Sequence, residues 1–190
     1  MFEDLVERWS ISLGADHQDA LKGRNNLGRV YQKLGRLDEA QQQVTAALAT
    51  RKMSLGERHI DTIRSMIDLG SIYLDQGRLD DARKELTEAL EIAEQEIGEQ
   101  HPYTFEALNN LARVEEAAGK FSVAVELREK GLARRSVFLD RMLWVTGENA
   151  REGYIRLHRP ELDDYLSLLA LITDPIRGKK AIEASLQRKG

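Results

Sequence analysis

The chain has 190 residues, 42% of them hydrophobic and 32% charged, with a formal net charge of −4. That is enough for one ordinary domain, and the charge density argues against a membrane span. It contains no cysteine, which excludes disulfides, a thiolate nucleophile and cysteine-ligated zinc, and the two signs of charge are interleaved, so there is no global pull toward nucleic acid.

Leu, Ala, Glu and Arg dominate, while prolines number three and tryptophans two, so an all-α chain is expected. The first thirty residues hold no apolar core of the kind a signal peptide needs, and the expected location is cytoplasmic. Aligned with itself, the chain repeats every 42 residues. Leu27, Leu69 and Leu111 fall in register, followed by Gly28, Gly70 and Ala112, by Gly35, Gly77 and Gly119, by Ala40, Ala82 and Ala124, and by Leu48, Leu90 and Leu132.

In chain order, Phe2 to Leu13 align with the last half of a second helix, with Leu13-Gly14 matching Leu55-Gly56 and His17 matching His59. The chain thus begins inside a repeat, and a fragment of a longer array is favoured over a shortened cap. Each full unit reads as two helices, because apolar residues recur at three- and four-residue spacing on either side of a glycine. Gly35, Gly77 and Gly119 stop the first helix, where a left-handed backbone is expected. Asp38, Asp80 and Ser122 follow three residues later and are expected to cap the second helix, which runs to about Leu55, Ile97 and Leu139. Small residues at Gly28, Ala40 and Ala47 and at their copies let the helices approach, while Tyr31 and Leu48 fill the gaps alongside. One hairpin cannot bury its apolar face, so the units must stack, as a right-handed solenoid. After Leu139 the period decays, although Thr146 still matches Thr104 and Thr62. Pro160 and Pro175 look like first helical residues. They open one helix with Leu162, Tyr165, Leu166, Leu169 and Ile172 on a face, and a last one from about Pro175 to Gln187; both are expected to cap the solenoid.

The set Gly28, Tyr31, Gly35, Ala40 and Ala47, with its copies Gly70, Tyr73, Gly77, Ala82 and Ala89, then Ala112, Gly119, Ala124 and Gly131, resembles the tetratricopeptide repeat. The resemblance implies an all-α right-handed solenoid of helix-turn-helix repeats over residues 1–146, with 147–190 as a helical cap or linker. Arg24 stands where the family often has tryptophan, and Glu115 where the aromatic is expected. The 42-residue unit, with turns such as Leu55 to His59 and Ile97 to Pro102, is similar to the kinesin-light-chain type. Ser136 to Leu171 and the ending Leu186 to Gly190 resemble the segment joining such repeats to a CHAT domain, a caspase-like peptidase. That would place any protease downstream of this chain.

Chemistry is weakly signalled. His17, His59 and His101 recur at the repeat period, but equivalent atoms of stacked repeats lie roughly 10 Å apart, too far to share a metal, so they read as turn residues. Asp80-Asp81 and Glu115-Glu116 are helix neighbours that do not face each other and read as solvated surface. No phosphate loop, nucleophile elbow or metal-binding helix motif occurs, so no catalytic residue, metal or cofactor is expected. The basic tail with Arg177, Lys179, Lys180, Arg188 and Lys189 lacks interleaved aromatics and contains Glu183, which disfavours nucleic acid.

In a stack of hairpins the first helices line the concave surface, and their outward positions are the expected partner site. By register these are Lys22, Asn25, Asn26, Arg29 and Lys33, then Arg64, Asp68 and Ser71, then Glu106, Asn109, Asn110 and Arg113. Asparagine can donate to and accept from an extended backbone, and Lys22, Arg29, Lys33 and Arg64 favour an acidic protein or peptide partner. The bland alternative is that Asn26 and Asn110 bond between hairpins. Two functions remain: the recognition module of a larger regulator or CHAT-type protease, favoured by the truncated first unit and the abrupt ending, or a free-standing adaptor like the kinesin light chain repeats.

Overall fold

The computed structural model describes residues 11–14 and 16–143, together with Asp4, Arg8 and Leu168. Ile11, Ser12 and Leu13 are helical, and six full helices follow among the described residues, with no strand. They are α1 (Gln18–Lys33), α2 (Leu37–Leu55), α3 (Ile60–Asp75), α4 (Leu79–Glu96), α5 (Pro102–Ala117) and α6 (Phe121–Leu143). Two compact units divide the chain, Met1–Val114 and Glu115–Gly190. In the first, α1 packs on α2, α2 on α3 and α3 on α4, and α1 also touches α3 directly. The first helices of successive hairpins are therefore neighbours.

The hairpin turn is closed by backbone alone. Gly35 and Gly77 have φ of 74° and 75°, the left-handed region that glycine enters without a Cβ penalty. The amide of Arg36 donates to the Tyr31 carbonyl at 2.9 Å and that of Gly35 to the Gln32 carbonyl at 3.0 Å. This double closure satisfies the last carbonyls of α1. It recurs as Arg78 to Tyr73 and Gly77 to Leu74, and again as Lys120 to Glu115 and Gly119 to Glu116.

The expected caps of the second helices are corrected by the structure. Arg36 and Arg78 occupy the cap positions and make no side-chain cap bond, and Asp38 and Asp80 lie inside the first turn. Likewise α6 starts at Phe121, with Ser122 already inside it. The glycine closure leaves only one residue before the next helix begins, so the acid falls too late to cap. Asp38 and Asp80 favour the positive helix end by charge instead. Arg36 and Arg78 lie 4.3 Å from the ring centroids of Tyr31 and Tyr73, and they pair with Glu39 and Asp81.

The first helices are the ones with side-chain caps, and histidine supplies them. Nδ1 of His17, His59 and His101 accepts from the amides of Asp19, Asp61 and Tyr103 at 3.2, 3.1 and 3.1 Å. Thr62 and Thr104 donate to the carbonyls of Gly56 and Gly98 at 2.8 Å, which gives the recurring threonine a reason.

Helix approach is set by the small positions. A Cβ on Gly28 would sit 2.5 Å from Val44 Cγ2, and one on Gly70 would sit 2.5 Å from Leu86 Cγ. Around these contacts Ala40, Val44, Ala47, Ile63, Met66, Ile72, Ala82, Leu86 and Ala89 are all fully buried.

In the second unit Ala124, Val125 and Leu168 form a buried cluster with Phe121 beside it. Leu168 is helical and fully buried, although it lies off the apolar face expected for its segment. The rest of the expected capping helices from Pro160 and Pro175 lies outside the described residues, as does Thr146. Helix α6 continues four residues past the expected end at Leu139.

Candidate partner-binding face

The repeat register sets columns along the row α1, α3 and α5. Lys22, Arg64 and Glu106 form one, Asn26, Asp68 and Asn110 a second, and Arg29, Ser71 and Arg113 a third. Lys22, Asn26, Arg29, Lys33, Glu106 and Arg113 are exposed, and Arg64, Ser71 and Asn109 are half-buried. Asn25, Asp68 and Asn110 are buried, with exposures of 1%, 5% and 8%. The expectation that all twelve side chains point outward therefore fails for these three. The helices α1 and α3 pack so closely that Asn25 and Asp68 are covered where the two meet.

The exposed members are tied together across levels. Arg29 Nε lies 3.9 Å from Asp68, and Arg64 donates to Asn26 Oδ1 at 3.4 Å. The Arg64 guanidinium carbon stands 6.0 Å from the Tyr103 ring centroid. Gln32 donates to Ser71 at 2.9 Å and to Asp75 at 2.7 Å, and Arg113 donates to Asp75 and to Asn110 at 3.3 Å each.

Beneath this layer lies a polar network absent from the sequence reading. Asn25 donates to Ser65 Oγ at 3.1 Å and to Asp68 Oδ2 at 3.0 Å. Arg51, from α2, donates to the same Ser65 oxygen at 2.6 Å and to the Asp61 carbonyl at 3.1 Å. Arg51 is fully buried, and burial holds its guanidinium below the ordinary arginine value. The sequence does carry a signal for these residues, which is polarity at positions that a neighbouring unit fills with an apolar side chain. Arg51 stands where the next unit has buried Ala93, Asn25 where it has Ile67, and Ser65 where the following unit has Ala107. Three polar intrusions at core positions converge on one junction because each needs a buried partner.

Asp68 is the most perturbed group on the face. Burial pushes its carboxyl up from 3.8 to about 6, against the pull of Arg29, with Glu106 raising it and Arg64 and Asn25 lowering it. Among the described residues no group of three His, Cys, Asp or Glu side chains could hold a metal ion.

The tetratricopeptide repeat profile matches residues 19–95 and again 61–136. The chain belongs to the tetratricopeptide repeat family. Solved structures share the fold. The nearly identical TPR-like repeats of a kinesin-light-chain-type protein of Podosopora anserina are 21% identical, with a TM-score of 0.65 over 99% of this chain and 85% of that one. BtubC (BKLC) from P. vanneervenii is 19% identical, with a TM-score of 0.69 over 98% of this chain and 68% of that one. A search of curated proteins finds no match. Tetratricopeptide arrays are protein-interaction modules, and none of the described helices is long and apolar enough to cross a membrane.

Proposed function

We propose that this tetratricopeptide array binds an extended, acidic segment of a protein partner along the row α1, α3 and α5. The observation that carries the reading is the charge along one column and its neighbours. Lys22, Arg29 and Lys33 are exposed on α1 and Arg64 is half-exposed on α3, whereas the same column ends in exposed Glu106 on α5. The positive potential is therefore greatest at the α1 end, and the acidic part of a ligand is oriented toward it. Asn26 and Asn109 add side-chain amides able to pair with an extended backbone. No catalytic step is assigned to the chain.

Two contexts for the module differ in what supports them. The recognition part of a larger CHAT-type, caspase-like protease rests on the likeness of the strings from Ser136 to Leu171 and from Leu186 to Gly190. A free-standing adaptor rests on likeness to the kinesin-light-chain-type repeats, a likeness of fold. Fluorescence anisotropy with labelled oligo-glutamate and oligo-lysine peptides tests the ligand class. The acidic peptide should bind, and its affinity should fall as salt rises toward about 0.15 M, where the Debye length is near 8 Å. Equal binding of both peptides, or binding indifferent to salt, would reject the reading.

A further inference from the structure

We infer that Asp68 is a latch on the binding face: while its carboxylate is ionised it holds Arg29 against α3, and its protonation releases Arg29 toward an anionic partner. The geometry sits at the α1–α3 junction. Asp68 is buried on α3, with one oxygen accepting from Asn25 of α1 at 3.0 Å and the other 3.9 Å from Arg29 Nε of the same helix. The Asn25 bond survives protonation, because a neutral carboxyl oxygen still accepts from an amide. The Arg29 contact does not, because it rests on charge and is too long for a hydrogen bond. The Arg29 side chain is 46% exposed and needs only to turn outward to reach solvent.

The groups facing Asp68 from each packed element act in opposite directions. Arg29 and Asn25 from α1 and Arg64 on α3 itself favour the ionised form, and Arg51 from α2 is coupled to it through Ser65 and by charge. Glu106 from α5 opposes ionisation, as does burial, which is the largest influence. The balance places the transition at about 6, close to neutral pH, so mild acidification is enough to open the latch.

The binding consequence rests on the proposed acidic ligand, whereas the latch itself can be read without any ligand. The first measurement is NMR of the full chain, following the Asp68 carboxyl carbon and the Arg29 Nε–H through the same pH range. Both should titrate together near pH 6, and the Arg29 signal should stay flat in Asp68→Asn. The second is anisotropy with labelled oligo-glutamate at constant ionic strength. On acidification the wild-type chain should bind about fivefold tighter, the worth of one restored charge near 4 Å at the dielectric of water. Asp68→Asn should bind at the acid level throughout, and Arg29→Gln should lose the pH response. An Arg29 signal that ignores the Asp68 titration overturns the latch. Coupled titration without peptide binding upholds the latch and instead rejects the acidic-ligand reading. Should Asp68→Asn fail to fold, the coupled wild-type titration and Arg29→Gln still decide the matter.

Discussion

At Asp68 the folded protein holds a carboxylate where it is disfavoured, and the direction of the resulting pH effect can be worked out. The folded value is raised to about 6 from 3.8, so between these values the folded state binds more protons than the unfolded one. Stability from this group is fully present below about 3.8 and is lost as pH rises through about 6. Asp68→Asn keeps an acceptor for Asn25 without the buried charge, and should raise stability near neutral pH by roughly 1–3 kcal/mol. Denaturant melts at neutral and mildly acidic pH should show that gain shrinking as the wild-type carboxyl protonates. His101 works the other way. Burial holds its imidazole below the ordinary value, so its contribution is present above about 6.5 and is lost as pH falls. The neutral ring is also what lets Nδ1 accept from the Tyr103 amide.

For the hairpin, the two kinds of glycine should answer to substitution differently. Gly70→Ala puts a Cβ 2.5 Å from Leu86 Cγ at a fully buried contact. Overpacking costs about 1–3 kcal/mol and alanine recovers up to about 1 kcal/mol of helix propensity, so a net loss near 1 kcal/mol is expected. Gly131 lies within α6 with nothing inside 4 Å of an added Cβ. Gly131→Ala should therefore stabilise by about 0.5–1 kcal/mol, and urea midpoints of the two variants should move in opposite directions. At the turn, Gly77→Val forces a β-branched residue to a φ of 75° and should cost at least about 1 kcal/mol. Gly77→Asn should cost less, since asparagine tolerates that region. Equal melting curves for the two would contradict the turn geometry.

Across the array, the proposed partner meets cations held by different helices, so their effects should depend on both charge and location. Below about pH 6, where Asp68 has released Arg29, Arg29→Ala with Arg64→Ala should weaken an acidic peptide by roughly 1–3 kcal/mol if each makes a charge-assisted hydrogen bond. Circular dichroism should be unchanged, because Arg29 is exposed with a 3.9 Å ion pair to Asp68 that is lost on protonation anyway, and Arg64 makes a long 3.4 Å hydrogen bond and a distant ring contact. Lys84→Ala, on the exposed side of α4, should be nearly silent in the same anisotropy assay. Silence at the arginine pair with loss at Lys84 would move the site to the second helices.

The sequence by itself determined the all-α repeat. A 42-residue period of glycine, alanine and leucine encodes local events, a left-handed turn and a close helix crossing, and Gly35, Gly77, Gly28 and Gly70 each show theirs in the structure. The recurring histidines were legible as turn residues for the same reason. What repeats is local, so self-comparison exposes it. The face was legible only as columns. Only the tertiary packing decided which members of a column reach solvent: Asn25 and Asp68 are covered where α1 meets α3, and Asn110 is buried, while Lys22, Asn26 and Arg29 are exposed. The caps of the second helices were misplaced by the same limit, since the one-residue space after each turn glycine is a property of backbone closure. The junction of Arg51, Ser65, Asn25 and Asp68 joins three helices through side chains at unrelated register positions, and a period cannot show which different positions meet.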